Sequence, residues 1–219
     1  MTETGIHRIS RLGLVNEYLV REDDGLTLID TGLPGTGRLI LARARALGMP
    51  IQRIALTHAH RDHQGSLDAL AAALPGVQVI VSEREAPLLA GDTAPSLLVS
   101  DDDAVRSLRV VASPGHTPGH IAFFDTRDGT LYAGDAFTTT LGVATSAVVP
   151  WRYPMAGLAT WNRELDLASA RRLAGLDPAR LASGHGPVIE APGRGMARAI
   201  AAAARKLERS PKPSASPRR

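Results

Sequence analysis

The 219-residue sequence predicts an α/β fold in which mixed β-sheets are covered by helices. Near the N-terminus, residues 14–20 and 26–30 are apolar segments separated by the turn Asp23-Asp24-Gly25, which predicts an antiparallel hairpin. Farther along, apolar strands alternate with segments of helical spacing, which is typical of parallel strands. Because both kinds of connection occur, we expect sheets that are neither purely parallel nor purely antiparallel.

The elements are predicted from the local spacing of apolar residues and from the Gly and Pro residues that end some of them. After the hairpin we predict a loop at 30–35, a helix at 38–47 that stops at Gly48 and Pro50, a strand at 53–57, a helix at 66–74 closed by Pro75-Gly76, a strand at 77–81 and a short helix at 83–89. A loop at 91–106 is followed by strands at 107–112, 121–125 and 130–133, a helix at 158–173, a strand at 180–183 and a helix at 195–207. We expect one domain over residues 1–209 and a disordered tail over 210–219, which is rich in Pro, Ser and basic residues.

Composition excludes several classes of protein. The sequence has no run of ~18 apolar residues, so no membrane span is predicted. The first residues lack the basic and apolar regions of a secretory signal. With no cysteine there are no disulfides, so we expect a cytoplasmic protein. Residues 194–219 hold eight basic residues and one acid, which leaves 17 basic and 21 acidic residues in the rest. The mildly acidic remainder argues against a nucleic-acid partner.

Residues 58–63 carry the strongest functional signal. His58, His60, Asp62 and His63 fall within six positions directly after an apolar strand. In an extended chain, side chains two positions apart point the same way, so His58 and His60 can reach one ion. Without cysteine, a metal here is held by His, Asp or Glu, which suits zinc, iron or manganese. His116, Asp135 and His185 also lie in turns after strands, where ligands from different strands can converge.

The chain resembles the metallo-β-lactamase superfamily. Five segments carry the resemblance, in the order found in that family: Leu28-Ile29-Asp30-Thr31-Gly32, His-x-His-x-Asp-His at 58–63, Pro-Gly-His-Thr-Pro-Gly-His at 114–120, Gly134-Asp135 and Gly184-His185-Gly186-Pro187. The resemblance implies an αββα four-layer sandwich of two mixed sheets with a metal centre at one edge. It covers residues ~14–190, most of the chain.

By position, the resemblance implies that His58, His60 and His116 bind a first metal ion. It implies that Asp62, His63 and His185 bind a second, and that Asp135 bridges both. We expect two Zn²⁺, with iron and manganese as alternatives, and a bridging hydroxide that attacks the substrate. Asp62 and Asp135 are therefore the candidate catalytic residues, with Asp62 orienting the nucleophile or relaying a proton.

Three further residues belong to the candidate site or its surroundings. Asp30 is expected to order the ligand loops without binding metal, and His120 to hydrogen-bond within its own loop. His7 is expected to be an ordinary surface or strand residue. The aromatic residues after Asp135 suggest a pocket wall with one cation for an anionic substrate group. These pocket candidates are Phe137, Trp151, Arg152 and Tyr153.

Within this family the sequence favours hydrolysis of an acyl substrate, namely an ester, a thioester or a lactone. A phosphodiesterase or nuclease of the same fold, a mononuclear-iron persulfide dioxygenase and a binding module with structural metal are the alternatives. The partner expected is a small-molecule substrate, for a protein that is a monomer or a homodimer and does not enter membranes. The substrate itself does not follow from the sequence.

Overall fold

Two six-stranded sheets dominate the computed structural model, which describes residues 6–11, 13, 15–148 and 159–209. The strands are β1 (His7–Arg11), β2 (Val15–Glu22), β3 (Gly25–Ile29), β4 (Ile51–Ala55), β5 (Gln78–Ser82), β6 (Leu97–Val99), β7 (Ala104–Val105), β8 (Leu108–Ala112), β9 (Ile121–Asp125), β10 (Thr130–Gly134), β11 (Phe137–Thr138), β12 (Ala144–Thr145), β13 (Arg180–Ser183) and β14 (Ile189–Glu190). The helices are α1 (Gly37–Ala46), α2 (Arg61–Gln64), α3 (Leu67–Ala73), α4 (Arg163–Ala174) and α5 (Gly193–Arg209), with a 3-10 turn at Ala86–Leu88.

Both sheets are mixed, as the sequence predicts. The first has the order β1-β2-β3-β4-β5-β6; it is antiparallel from β1 to β3 and parallel from β3 to β6. The second has the order β14-β13-β10-β9-β8-β7, in which only β10 and β13 pair in parallel. A separate two-stranded ribbon joins β11 to β12.

Three apolar layers show how sheets and helices stack. In β3, Leu28 packs with α1 and α3 on the outer face, whereas the next residue, Ile29, faces the second sheet. In β9, Phe123 lies between the sheets and its neighbour Ala122 faces α4 and α5. Strands buried on both faces are apolar at consecutive positions because side chains alternate between faces. The order of layers is therefore helix, sheet, sheet, helix, which confirms the αββα fold.

Several elements differ from the predictions. The region 91–106, predicted as a loop, contains β6 and β7, which pair at the edges of the two sheets. Strands β1, β11, β12 and β14 and the four-residue helix α2 were not predicted. These elements have between two and five residues, too few for a periodic pattern. The tail at 210–219 and residues 151–153 lie outside the described residues.

The topology brings the candidate ligands to one rim. The loops that carry His58, His116, Asp135 and His185 follow the carboxyl ends of β4, β8, β10 and β13. Strands β8 and β10 both run antiparallel to β9, so they run parallel to each other and to β13. Their carboxyl ends therefore meet at the same edge of the second sheet. Among the described residues, no helix is long and apolar enough to cross a membrane.

Candidate metal centre

Three histidine rings form the first group of candidate ligands. His58 Nε2 lies 3.1 Å from His60 Nδ1, and His116 Nε2 lies 2.9 Å from that same atom. His58 and His60 lie in the segment after β4, and His116 comes from the loop between β8 and β9. One ring nitrogen from each residue therefore points into a single small space.

The second group combines a carboxylate with two imidazoles. Asp62 Oδ2 lies 3.8 Å from His63 Nε2 and 3.5 Å from His185 Nε2. Asp62 and His63 stand on α2, which starts directly after His60. The centroid of the His63 ring lies 4.1 Å from that of the His58 ring, so the second group adjoins the first. His185 reaches Asp62 and His63 from the loop after β13. These three residues can hold a second ion.

Asp135 lies between the two groups. Its Oδ2 is 3.5 Å from His116 Nε2 and 3.2 Å from His185 Nε2, and its Oδ1 is 3.3 Å from His63 Nε2. One carboxylate thus contacts histidines of both groups. The structure brings together all seven residues that the sequence singled out as ligands.

The buried donor atoms of this cluster fit metal ions. His63 Nε2 and Asp135 Oδ1 are buried and form no hydrogen bond, although they face each other as an ion pair at 3.3 Å. Orphaned polar atoms of this kind are costly unless another species satisfies them. Imidazole nitrogens and carboxylate oxygens are ligands that zinc, iron and manganese accept. The donor set therefore fits the pair of ions that the resemblance implies.

Burial keeps most of the histidines neutral, as metal binding requires. Burial lowers the pKa of His58 well below its usual value, and lowers that of His116 to about 4 and that of His120 to about 3. The pKa of His60, which is half-buried, is shifted in the same direction for the same reason. Neutral imidazoles have a lone pair available without first losing a proton.

His63 and Asp135 form a buried charge pair. Burial opposes the charge on both, but Asp135 and Asp30 together raise the pKa of His63 well above its usual value. In turn, burial opposes ionisation of Asp135, but His185 and His63 hold its pKa well below the usual range. A cation bound at Asp135 would neutralise this carboxylate in place of the proton on His63. Binding of the cation would therefore release the His63 proton.

A hydroxyl or a carboxylate orients three of the candidate ligands through Nδ1. Thr57 Oγ1 lies 3.0 Å from His58 Nδ1, and Thr160 Oγ1 lies 3.1 Å from His116 Nδ1. His63 Nδ1 donates to Asp30 Oδ2 at 2.9 Å. Contacts on the far nitrogen fix the ring orientation and aim Nε2 at the space where an ion could be held. Neither threonine was singled out in the sequence.

Asp30 anchors the start of the ligand loop. Its carboxylate accepts the backbone N–H of Thr57 at 2.8 Å and the Thr57 hydroxyl at 2.8 Å, besides His63. Asp30 has a φ of 58°, in the left-handed region that few residues other than glycine adopt. This backbone turn after β3 points the carboxylate at β4 and α2 together. Asp30 lies beside the cluster and contacts His63 from behind, as expected of a residue that orders the ligand loops.

His120 binds the backbone of Asp135, and no hydrogen bond among the described residues joins it to the Asp135 carboxylate. His120 Nδ1 donates to Ser113 Oγ at 2.8 Å, and His120 Nε2 accepts the backbone N–H of Asp135 at 3.2 Å. The contact with Ser113 lies within its own loop, as predicted. The contact with Asp135 joins two strand ends and does not follow from sequence spacing. His7 lies on β1, away from the cluster, and accepts a hydrogen bond from Arg21.

Residues of β2 hold the loop that carries His185. Asn16 donates from Nδ2 to the carbonyls of Ser183 and Gly186 at 2.9 and 2.7 Å, and Tyr18 donates its hydroxyl to the Ser183 carbonyl at 2.7 Å. These contacts were missed in the sequence. One signal was available in the sequence: Asn16 and Tyr18 are polar residues two positions apart in one strand, so they lie on the same face of β2.

The predicted pocket wall is placed only in part. Phe137 is fully buried and packs in the core between the second sheet and α4 and α5, so its side chain is covered by core residues. Trp151, Arg152 and Tyr153 lie outside the described residues.

Comparison with known proteins identifies the family. The family model of the metallo-beta-lactamase superfamily matches residues 10–185, and the chain belongs to this superfamily. It is 42% identical over 207 residues to YobT of Bacillus subtilis strain 168, an uncharacterized protein; the match covers 85% of this chain and 89% of YobT. It is 27% identical to the probable metallo-hydrolase YflN of the same strain, over 83% of this chain and 84% of YflN.

More distant relatives include enzymes with a named activity. A hydroxyacylglutathione hydrolase of Gloeobacter violaceus is 34% identical over 59% of this chain and 52% of its own length. Two similar structures are each 26% identical. The metallo-beta-lactamase family protein TTHA1429 from Thermus thermophilus has a TM-score of 0.68 over 93% of this chain and 80% of its own. TTHA1623, solved in a di-iron-bound form, has a TM-score of 0.67 over 87% and 96%.

Proposed function

We propose that this protein is a dinuclear metal-dependent hydrolase whose substrate is a small acyl compound, an ester, a thioester or a lactone. The observation that carries the proposal is the position of Asp135. Its two oxygens face histidines of both ligand groups at 3.2 to 3.5 Å, so one carboxylate can serve two ions. Membership in a superfamily that includes metallo-hydrolases supports the reaction class.

The seven residues would hold two ions: His58, His60 and His116 around one, Asp62, His63 and His185 around the other, and Asp135 shared. When bound, such a pair makes water a strong nucleophile at neutral pH and polarises a carbonyl oxygen. We propose zinc as the metal, since histidine and aspartate are among its usual ligands in hydrolytic sites. Iron and manganese stay as alternatives, and one similar structure is a di-iron-bound form.

Asp62 can act on protons at the open side of the centre. Its side chain is 35% exposed, whereas those of His63 and Asp135 are 0% and 4% exposed. It is therefore the carboxylate of the cluster that an incoming substrate and bulk water can both reach. A carboxylate in this position can hold the nucleophile in place and pass a proton to the leaving group.

Support for an acyl substrate comes from the relatives and from the rim of the site. Hydroxyacylglutathione hydrolases act on an acyl compound, as their name states, and several match this chain at 33–35% identity over about half of their length or less. Beside His116, the backbone N–H of Trp161 donates to the His116 carbonyl at 3.0 Å, and 60% of Trp161 is exposed. Trp161 is thus held against the ligand loop by its backbone, and its exposed aromatic ring can cover the apolar part of a substrate.

The test is a panel of initial hydrolysis rates for the zinc-loaded protein and its Asp135→Ala variant. The substrates are an aryl ester, an acyl thioester, an acyl lactone, a β-lactam and bis-nitrophenyl phosphate. We expect one acyl substrate to be preferred and its hydrolysis to be lost in Asp135→Ala. Metal content per chain, measured on the same samples, should be close to two.

Other results of this panel would favour one of the alternative functions. Preference for the phosphate diester would make the protein a phosphodiesterase. One iron per chain in the protein as purified, with no hydrolysis by the zinc-loaded form, would favour an oxidoreductase of the persulfide dioxygenase type. No hydrolysis with two ions and no displaceable water would favour a binding module in which the metals are structural.

A further inference from the structure

Glu85 links the two loops that carry the first group of ligands. It follows β5 and precedes the 3-10 turn Ala86–Leu88, more than twenty residues from any candidate ligand in sequence. Its side chain is fully buried. Neither the family resemblance nor the sequence pattern singles it out.

The carboxylate of Glu85 is shared between the loops. Its Oε1 accepts the backbone N–H of Ala59 at 2.8 Å, and Ala59 lies between His58 and His60. Its Oε2 accepts the Thr117 hydroxyl and the backbone N–H of Gly119, each at 2.9 Å, and Thr117 follows His116. One oxygen holds each loop, so the length of a single carboxylate sets their separation.

The base of this link is itself fixed. The backbone N–H of Glu85 donates to the Ser82 carbonyl at 3.0 Å, which anchors the residue to the end of β5. The Ser82 hydroxyl donates to the Gly119 carbonyl, so both polar groups of the Gly119 residue face this turn. A Cβ at Gly119 would lie 2.6 Å from the Arg84 carbonyl carbon, so only glycine allows the close approach.

We propose that Glu85 is a positioning residue that sets the spacing of His58, His60 and His116 and thereby the affinity of the first metal position. This inference rests on the proposed dinuclear centre. The ring nitrogens of His58 and His116 lie 3.1 and 2.9 Å from His60 Nδ1, a spacing that depends on both loops.

The test removes the link while leaving the size of the side chain unchanged. In Glu85→Gln, one oxygen is replaced by an NH₂ group, which cannot accept the hydrogen bond from whichever loop it faces. The matched control is Glu83→Gln, which makes the same change of charge two residues away on an exposed side chain. The readout is release of zinc from the zinc-loaded proteins into a competing chromophoric chelator.

We expect one of the two ions in Glu85→Gln to be released at least tenfold more readily, since contacts behind metal ligands typically change affinity about 10- to 100-fold. The other ion, and both ions of Glu83→Gln, should behave as in the unaltered protein. The effect should persist in the His185→Ala background and disappear in the His116→Ala background, because Glu85 acts only through the first position.

Folding is monitored by near-ultraviolet circular dichroism. If Glu85→Gln does not fold, Thr117→Val removes one of the three donors and should give a smaller shift in the same direction. Unchanged zinc release in a folded Glu85→Gln or, failing that, in Thr117→Val would overturn the inference, as would an effect that survives His116→Ala. Zinc release is read without turnover, so a protein that binds two ions but hydrolyses nothing refutes only the proposed function. A protein that binds none of zinc, iron or manganese refutes both.

Discussion

Glu17 makes the stability of this protein depend on pH in a way that one substitution should remove. It lies on β2, is fully buried, and neither oxygen of its carboxyl group has a hydrogen-bond partner. Burial, with a smaller contribution from the neighbouring Asp30 carboxylate, raises the pKa of Glu17 from 4.5 to about 8. At neutral pH the folded protein therefore keeps this carboxyl group protonated, whereas the unfolded chain does not.

The sign and size follow from that difference in pKa. Between pH 4.5 and 8 the unfolded chain loses the Glu17 proton and the folded protein retains it, so the free energy of unfolding falls as pH rises. Each pH unit in this window costs about 1.4 kcal/mol. Glu17→Gln is neutral at every pH, so its free energy of unfolding should rise relative to that of the unaltered protein by about 2 kcal/mol between pH 6 and pH 8, where the Glu17 carboxyl begins to ionise.

Urea denaturation of the zinc-loaded protein and of Glu17→Gln, followed by circular dichroism at pH 6, 7 and 8, measures this growth directly. Any fixed cost of placing an amide at this position is the same at each pH, so the slope is the quantity to compare. The exposed Glu83→Gln should run parallel to the unaltered protein. A difference between Glu17→Gln and the unaltered protein that stays constant from pH 6 to pH 8 would refute the reasoning.

Three further predictions concern the centre. His120→Phe leaves the Asp135 backbone N–H without its acceptor and should lower the free energy of unfolding by about 1–3 kcal/mol; urea denaturation checks this, and an unchanged midpoint contradicts it. Asn16→Ala removes two hydrogen bonds to the loop of His185 and should weaken the binding of one ion about tenfold; chelator competition measures it, with the other ion as internal control. Asp62→Asn should lower kcat far more than it raises KM; equal losses in turnover and in substrate binding would count against its role in orienting the nucleophile or relaying a proton.

The ligands could be predicted because their spacing is local or their loops carry constraining residues. Three histidines and an aspartate within six positions have few structural explanations, and His116 lies in a Pro-Gly turn that cannot be a helix. The structure places these residues together, although the ions they hold stay a prediction. The strands buried on both faces could also be predicted, because apolar runs bounded by turn residues are a strong signal.

The supporting residues could not be predicted because their contacts join distant parts of the chain. Glu85 contacts Ala59 and Thr117, and Asn16 contacts the loop of His185; no sequence spacing encodes these pairs. Glu85 follows a strand among other charged residues and has the sequence context of a solvated turn. Only the tertiary fold shows that its carboxylate is buried.

Strand β2 contributes none of the seven candidate ligands, yet the centre depends on it. Through Asn16 and Tyr18 it fixes a loop that lies more than 160 residues later in the sequence. During synthesis, the second metal position can form only after residue 185 has emerged and has returned to the first strands made. Assembly of that position therefore reports that both ends of the domain have met, and zinc bound there would preferentially stabilise the complete fold over partly folded chains.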